Sequence, residues 1–283
     1  MVLAKDTIHD AVRIALAEDV GSGDITTAIL PSNHFARAII VTREPLILAG
    51  IDVAIETLHA VDPAIIIKSK LTDGTSIDSG TTVLQAEGST RSILTAERVA
   101  LNFLQHLSGI ATITGSYVKA VHGTAARILD TRKTTPGLRA LEKYAVTCGG
   151  GTNHRSGLYD QILIKDNHLA AFSANSTDAI MQAIQLARRN APGKKIEIEV
   201  DDMDQLRVAV AAGADIILLD NMPPEKIRES VRLVNGRALL EASGGITIQT
   251  VRAYAETGVD FISIGALTHS ARAVDLAMEL IAL

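Results

Sequence analysis

The sequence predicts an α/β protein, in which a small amino-terminal α+β domain precedes a barrel built from βα units. From Arg127 onward, short apolar strands alternate with amphipathic helices at the spacing of βα units. Almost every one of these strands ends in a charged or glycine-rich cluster. A barrel collects its chemistry at the carboxyl ends of many strands, whereas an open doubly wound sheet concentrates it at one crevice, so we favour the barrel.

The amino-terminal part contains helices and several short strands. A first helix is predicted by an apolar stripe of Ile8, Ala11, Val12, Ala15 and Leu16, and it ends at a glycine-rich loop over 21–24. Turn signals separate predicted strands over 36–42, 46–49, 65–71 and 81–86, with a helix near 53–59. A long helical stretch over 93–121 follows, with a predicted break at Ser108-Gly109.

The rest of the chain reads as six βα repeats. Their strands are predicted over 127–130, 161–165, 195–200, 215–220, 238–242 and 261–265. The helices between them are predicted over 138–148, 177–190, 203–212, 225–234 and 247–257. We therefore divide the chain into a small domain over 1–108, a barrel over 109–270 and a carboxyl-terminal helix over 271–283 that packs back on the small domain.

Composition excludes several classes of protein. The 283 residues carry 27 Lys and Arg against 32 Asp and Glu, without a basic tail or an aromatic platform, which argues against nucleic acid as a partner. The single cysteine, Cys148, excludes an intrachain disulfide and fits a reducing compartment. Asp6 and Asp10 lie where a signal peptide would be apolar, and no run approaches the ~18 apolar residues of a membrane span. We expect a cytoplasmic protein that does not bind membranes.

Two cationic groups lie near the first two barrel strands. The run ILDTRKTTPGLR exposes Arg132, Lys133 and Arg139 around a turn, which indicates an anion site, although a solvated basic loop remains an alternative. The run CGGGTNHRSGLYDQILIKDNH supplies His154, Arg155 and Lys165.

In the second run, residues 149–151 are glycines, which either allow a close backbone approach or end a helix. His154 alone would be interpreted as structural, but beside Arg155 and Lys165 we assign it to the second cationic group. His168 is interpreted as structural.

Acidic residues end the next two strands. We select Glu199 over Asp201, expecting the two to point to opposite sides of their strand. Asp220 closes the apolar strand IILLD, where a carboxylate needs a cation, a metal or hydroxyl groups as partner. A cap for the helix beginning near Pro224 is the alternative role of Asp220.

The last two strands end in loops that resemble the phosphate-binding loops of barrels. Backbone amides at such loops bind a phosphate without help from side chains. The candidate residues are Ser243, Gly244, Gly245, Gly265, Ala266 and His269.

Several long motifs, in one order, resemble those of quinolinate phosphoribosyltransferases. They are ERVALNFLQHLSGIAT, ILDTRKTTPGLR, NHRSGLYDQILIKDNH, ILLDNM, LEASGGI, GVDFISIGALTHS and the amino-terminal EDVGSGDIT. The resemblance covers nearly the whole chain. It implies an amino-terminal α/β sandwich domain, an incomplete six- to seven-stranded α/β barrel, and a homodimer or a multiple of dimers.

The resemblance also implies a reaction and roles for residues. Quinolinate and 5-phosphoribosyl 1-pyrophosphate give nicotinate mononucleotide, pyrophosphate and carbon dioxide with Mg²⁺, in the formation of NAD. The two carboxylates of quinolinate are assigned to Arg98, Arg132, His154, Arg155 and Lys165. Lys133 and Arg139 are assigned to phosphoribosyl pyrophosphate, Glu199 and Asp220 to its ribose and, through water or substrate, to Mg²⁺, and the loop residues named above to the 5-phosphate. Of these, Lys133, Lys165, Glu199 and Asp220 are the expected catalytic set.

Three alternatives stay open at this point. The chain could be a related transferase that acts on another aromatic acid, or a molybdenum-utilisation homologue of the same fold with a changed base pocket, although the intact TRK and NHR motifs argue against both. It could also be a silent barrel that only binds anionic metabolites. Spacing alone makes Arg98 a free surface arginine or a partner of Glu97, whereas the resemblance implies that it reaches the quinolinate site of the neighbouring subunit.

Overall fold

The computed structural model describes residues 2–172 and 176–283 and divides into two compact units. The first unit comprises Met1–Gly115, Thr134–Gly150 and Ala266–Leu283, and the second comprises Ser116–Lys133 and Gly151–Gly265. No helix within the described ranges is both long enough and apolar enough to cross a lipid bilayer.

The first unit is built on a four-stranded antiparallel sheet in the order β12-β1-β5-β3, with a two-stranded sheet of β2 and β4. Its strands are β1 (Phe35–Thr42), β2 (Leu46–Ile47), β3 (Ile66–Lys70), β4 (Ser76–Ile77), β5 (Thr82–Ser89) and β12 (Leu276–Ala282). Its helices are α1 (Lys5–Asp19), α2 (Ile51–Val61), α4 (Arg139–Cys148) and α10 (Ala266–His269). The long helix α3 (Thr90–Ala120) begins in this unit.

Buried and more exposed side chains alternate along the strands, and the buried ones form the core of the first unit. In β1, FARAIIVT, every second side chain is buried, so one face of the sheet packs against α2 and α3 residues in a single apolar cluster. Ile40, Leu58, Leu84 and Leu104 are fully buried members of that cluster. The small amino-terminal α+β domain predicted from the sequence is confirmed.

The predicted break at Ser108-Gly109 is wrong, because α3 runs without interruption from Thr90 to Ala120. A Cβ atom on Gly109 would lie 2.1 Å from the carbonyl oxygen of Arg272, closer than any side chain can approach. Gly109 therefore serves a close contact between the helix and the carboxyl-terminal segment, and it does not end the helix.

The predicted carboxyl-terminal helix is also wrong, because residues 276–282 form the strand β12. Leu, Ala, Met and Glu favour helix, which explains the prediction from LAMELIA. β12 instead pairs antiparallel with β1 from Leu276 opposite Thr42 to Ala282 opposite Ala36, so it satisfies the backbone groups along that edge of β1. Tertiary pairing therefore overrides local propensity here.

The second unit contains six parallel strands in the order β6-β11-β10-β9-β8-β7. The strands are β6 (Arg127–Leu129), β7 (Ile162–Ile164), β8 (Ile196–Val200), β9 (Ile216–Asp220), β10 (Leu239–Ser243) and β11 (Phe261–Ser263). Helices of this unit are α5 (Asp166–Leu169), α6 (Ser176–Asn190), α7 (Met203–Ala211), α8 (Pro224–Val234) and α9 (Val251–Ala255). Each predicted strand is present within one or two residues, whereas α9 is shorter than predicted.

The six-stranded sheet is curled. Three strands separate β6 from β8, so a flat sheet with about 4.8 Å between strands would place them ~19 Å apart. Yet His154, whose backbone N–H donates to Asp130 Oδ1 beside β6 at 2.8 Å, has its Nε2 3.0 Å from Glu197 Oε2 on β8. The outer edge of β6 pairs with Thr152, on the segment that leads to β7. The strands therefore form an incomplete barrel whose interior holds polar side chains.

Candidate active site

The carboxyl ends of the parallel strands bring three of the predicted site residues together. Lys165 follows β7, Glu199 lies near the end of β8, and Asp220 is the last residue of β9. Lys165 Nζ is 2.5 Å from Glu199 Oε2. Burial, followed by the charge of Glu199, raises the pKa of Asp220, while the Lys165 charge lowers it. We call Lys165, Glu199 and Asp220 the acidic edge of the sheet. Its two carboxylates and one ammonium could bind hydroxyl groups or a cation.

Asp220 does not cap the following helix. The first turn of α8 is preceded by Pro223 and has no side-chain cap. Asp220 Oδ2 instead accepts a 2.6 Å hydrogen bond from Asn221 Nδ2. Asp220 therefore has no capping role in this structure.

The expectation that Glu199 and Asp201 point to opposite sides of β8 is wrong. Residues two apart lie on the same face of a strand. Burial and then the charge of Glu199 raise the pKa of Asp201, which is consistent with two neighbouring carboxylates. Asp201 therefore adds negative charge beside Glu199, and the contact with Lys165 is what distinguishes Glu199.

Two arginines of the second unit lie close together. Arg155 is only 9% exposed, and its Nη1 donates to the carbonyl oxygen of Gln161 at 3.3 Å. Burial and the nearby charge of Arg132 lower the pKa of Arg155, whereas the charges of Glu197 and Asp160 raise it. Two guanidinium groups whose charges influence each other favour an anion with more than one charge.

The imidazole of His154 contacts two buried glutamates, Glu197 and Glu241. Its Nε2 is 3.0 Å from Glu197 Oε2 and 3.5 Å from Glu241 Oε2, and its Nδ1 accepts a 2.7 Å hydrogen bond from the backbone N–H of Arg155. Hydrogen bonds to the two carboxylates raise the pKa of His154 against the opposing effect of burial. Protein groups therefore contact both ring nitrogens.

The buried polar residues Glu197 and Glu241 were not selected from the sequence. Their signal is a charged residue in the middle of an apolar strand, in IEIEV and in LLEAS. Glu197 lies two residues before Glu199 and so shares its face of β8. One imidazole nitrogen and two carboxylate oxygens within 4.8 Å of one another also match the spacing of metal ligands.

The loop after β10 requires its glycine. Gly244 has φ +101°, and a Cβ there would lie 2.1 Å from Asn221 Oδ1. Asn221 itself adopts a left-handed conformation, with φ +52°, and its N–H donates to the carbonyl oxygen of Ser243 at 2.9 Å. The two loops are therefore shaped around each other at the end of β9 and β10. Phosphate binding by Ser243, Gly244 and Gly245 stays a prediction.

Four predicted site residues belong to the first unit. Arg98 is exposed on α3, and within the described residues it makes no hydrogen bond or ion pair, so the suggested pair with Glu97 is absent. Arg139 begins α4, and its Nε donates to Thr134 Oγ1 at 3.0 Å. His269 is exposed at the end of α10 and lies 2.6 Å from Ser270 Oγ, through Nδ1. Ala266 is the first residue of α10.

For Lys133, Gly265 and His168 the structure shows contacts within or beside their own loops. Lys133 is exposed, and its backbone N–H donates to Thr131 Oγ1 at 3.0 Å. Gly265 directly follows Ile264, whose N–H donates to the carbonyl oxygen of Leu129 on β6. His168 accepts the backbone N–H of Lys165 at its Nδ1, so it has a structural contact at the start of α5.

The glycines and the cysteine at the end of α4 are structural. A Cβ on Gly149 would lie 2.3 Å from the carbonyl oxygen of Ala111, and Gly149 also directly follows the last residue of α4. Both interpretations, a close approach and a helix end, therefore hold for this glycine. Burial and the charge of Asp73 raise the pKa of Cys148 to about 11, which keeps its thiol protonated at neutral pH.

Comparisons with known proteins agree with the motifs. The profile of the quinolinate phosphoribosyl transferase N-terminal domain matches residues 24–108, and that of the C-terminal domain matches residues 110–279. The nicotinate-nucleotide pyrophosphorylase [carboxylating] of Mycobacterium leprae is 44% identical over 97% of this chain and 98% of its own length.

Solved structures give the same result. A nicotinate-nucleotide pyrophosphorylase from Francisella tularensis superposes with a TM-score of 0.93 at 41% identity, over 99% of this chain and 98% of that one. NadC from Streptococcus pyogenes superposes with a TM-score of 0.94 at 43% identity, over 100% and 99% of the two chains. Matched by both domain profiles over nearly its whole length, this chain belongs to the quinolinate phosphoribosyl transferase family.

Proposed function

We propose that this chain transfers the phosphoribosyl group of 5-phosphoribosyl 1-pyrophosphate to quinolinate, releasing pyrophosphate and carbon dioxide and forming nicotinate mononucleotide for NAD biosynthesis. One observation carries the proposal. In a chain of this family, two adjacent arginines and an acidic edge with one lysine occur in the same unit, at the carboxyl ends of parallel strands. The arginines suit a pyridine dicarboxylate, and the acidic edge suits a ribose.

Quinolinate recognition is assigned to the cationic residues. Arg132 and Arg155 supply planar forks for its carboxylates, and Lys165 supplies a point charge. The contacts of His154 with Arg155, Glu197 and Glu241 support a place for its ring beside Arg155. Arg98 completes the set from a second copy of the chain, a proposal supported by its exposure and by the lack of a partner for it within the described residues.

Phosphoribosyl pyrophosphate is assigned to the remaining candidates. Lys133 and Arg139 bind its pyrophosphate, while Glu199 and Asp220 bind the ribose hydroxyls and Mg²⁺ through water or substrate. The raised pKa of Asp220, caused by burial and by neighbouring carboxylates, supports a place for a cation at this edge. Bound Mg²⁺ would neutralise charge on the departing pyrophosphate. The 5-phosphate is assigned to Ser243, Gly244, Gly245, Gly265, Ala266 and His269.

The protein contributes positioning and electrostatics. Glu199 and Asp220 favour the positive charge that develops at the anomeric carbon as pyrophosphate leaves. Substitution at the ring nitrogen then gives a pyridinium, which stabilises the electron pair left on the adjacent ring carbon when its carboxylate departs as carbon dioxide. That carbon takes up a proton from water, which gives nicotinate mononucleotide. Loss of carbon dioxide therefore follows ribosyl transfer, and this scheme requires no dedicated base.

Product analysis tests the proposal. The purified protein is incubated with quinolinate, 5-phosphoribosyl 1-pyrophosphate and Mg²⁺, and the products are identified by mass spectrometry. We expect nicotinate mononucleotide and pyrophosphate in equal amounts. Transfer to a different aromatic acid, or binding of quinolinate without turnover, would replace this function with one of the two alternatives. We further propose a cytoplasmic location, supported by the single cysteine.

A further inference from the structure

We propose that Glu197, together with Glu241, is a positioning residue for quinolinate, which holds the Arg155 guanidinium in place through His154 and Gln161. Neither glutamate belongs to the set assigned above to the substrates. The inference rests on the proposed function, because it takes quinolinate as the ligand of Arg155.

One carboxylate oxygen holds both ends of the loop that carries Arg155. Glu197 Oε2 accepts a 2.7 Å hydrogen bond from Gln161 Nε2 and lies 3.0 Å from His154 Nε2. Arg155 lies between these two residues in the chain and contacts each of them. Its backbone N–H donates to His154 Nδ1 at 2.7 Å, and its Nη1 donates to the carbonyl oxygen of Gln161 at 3.3 Å. Both of these hydrogen bonds of Arg155 therefore lead to Glu197 in one further step, through His154 or through Gln161.

The imidazole of His154 is held at both of its nitrogens. His154 Nδ1 lies 2.7 Å from the backbone nitrogen of Arg155, and its Nε2 lies 3.0 Å from Glu197 Oε2. Contacts at both nitrogens therefore fix the orientation of the ring. A carboxylate that fixes the tautomer and orientation of a histidine is a recurrent positioning device. Without Glu197, the ring loses the acceptor that orients it.

Glu241 completes the pair. Glu197 and Glu241 are both buried, at 0% and 1% exposure, and Glu197 Oε1 has no hydrogen-bond partner among the described residues. Glu241 Oε1 accepts a 2.5 Å hydrogen bond from Ser263 Oγ. Two buried carboxylates therefore meet at one imidazole nitrogen.

The negative charge of Glu197 also acts on Arg155. Arg132 and Arg155 repel each other before a substrate arrives, and the charge of Glu197 opposes that effect on Arg155. Glu197 thus supplies a counter-charge to Arg155 from within the protein. Removing the charge should weaken quinolinate binding and leave the binding of phosphoribosyl pyrophosphate nearly unchanged.

The test compares Glu197→Gln with wild type and with Glu225→Gln, an exposed glutamate on α8 that serves as the matched control. Calorimetry measures the Kd of quinolinate alone, and steady-state assays measure KM for each substrate. For Glu197→Gln we expect the quinolinate Kd to rise about ten-fold or more, the range for loss of a group that orients a ligand-binding residue. The KM of phosphoribosyl pyrophosphate should stay within about two-fold.

A second variant keeps the inference testable if Glu197→Gln does not fold. Gln161→Met removes the amide donor to Glu197 at similar size and should raise the quinolinate Kd about three-fold by loss of one hydrogen bond. An unchanged quinolinate Kd in a folded Glu197→Gln protein, or in Gln161→Met, overturns the proposal, as does an equal rise in both substrate KM values. If wild type binds quinolinate but makes no nicotinate mononucleotide, the proposed reaction fails while the Kd comparison still tests the positioning role.

Discussion

Lys165 and Glu199 form an ion pair across the carboxyl ends of the neighbouring strands β7 and β8, with Nζ 2.5 Å from Oε2. The Lys165 side chain is 43% exposed, so this pair is too accessible to water to be a major source of stability. Under the proposed function, its role would be to place an ammonium and a carboxylate together at the substrate site.

Replacing Lys165 with Gln should therefore separate activity from stability. We expect kcat/KM for quinolinate to fall about 100-fold or more, because a positioned charge is lost from the transition state. The free energy of unfolding in urea should change by no more than ~1 kcal/mol. Lys226→Gln is the control, since Lys226 is an exposed lysine 3.2 Å from Glu229 on α8. Activity within about three-fold of wild type would remove Lys165 from the catalytic set.

Asp220→Ala should lower turnover and weaken the dependence on Mg²⁺ while the fold stays intact. Burial and neighbouring carboxylates disfavour the charge of Asp220, so its removal should not destabilise the protein. Magnesium titrations of initial rate measure the effect, and Asp204→Ala, at an exposed aspartate on α7, is the control. A magnesium titration identical to that of wild type would return Asp220 to a purely structural role.

Quinolinate should be used and nicotinate should not. A monoacid offers a single carboxylate to the two guanidinium groups of Arg132 and Arg155, so it should bind them less strongly than a dicarboxylate does. Sites built to bind a polar group reject analogues that lack it by about 10⁴-fold. Competition between the two acids, followed by product analysis, measures the ratio. Comparable turnover of nicotinate would contradict the assignment of both arginines to carboxylates.

Gly109→Ala should destabilise the first unit. The added Cβ would lie 2.1 Å from the carbonyl oxygen of Arg272, so α3 or the carboxyl-terminal segment must move. Overpacking of this kind costs about 1–3 kcal/mol. Asn102→Ala, at an exposed position of the same helix, should change stability by less than ~0.5 kcal/mol. If urea unfolding shows the same stability for both variants, the contact between Gly109 and Arg272 is not a close one in solution.

The same glycine shows where sequence analysis of the fold stops. The strands of the second unit are predictable because each is a short apolar run bounded by a charged or glycine-rich end. Gly109 and the segment 276–282 are different, since their conformations depend on distant partners, Arg272 and β1. Local propensity contains no information about either partner, so the helix break and the carboxyl-terminal helix were both predicted incorrectly.

Some residues of the candidate site could be predicted from the sequence and others could not. Lys165, Glu199 and Asp220 are predictable because parallel strands bring their carboxyl ends to one edge. The contact of His154 with Glu197 and Glu241 depends on how strongly the sheet curls, which strand periodicity does not specify. A glutamate within an apolar strand indicates a buried partner, but the sequence does not identify that partner.

Arg98 provides the strongest test of a shared active site. It is exposed on α3 and makes no hydrogen bond or ion pair within the described residues, so its charge is available to a second copy of the chain. In a dimer with two-fold symmetry, each site would then combine Lys165 from one subunit with Arg98 from the other. Arg98→Ala and Lys165→Ala should each be nearly inactive alone.

Mixing these two inactive proteins should restore activity. After unfolding and random reassembly, about half of the dimers contain one subunit of each kind, and each of these has one doubly defective site and one intact site. Recovered activity should therefore approach about a quarter of the wild-type value. The control mixes Lys165→Ala with Asp220→Ala, whose side chains belong to the same unit and the same site, so that no mixed dimer has an intact site. If the first mixture stays as inactive as the control although mixed dimers are shown to form, Arg98 does not act across the interface.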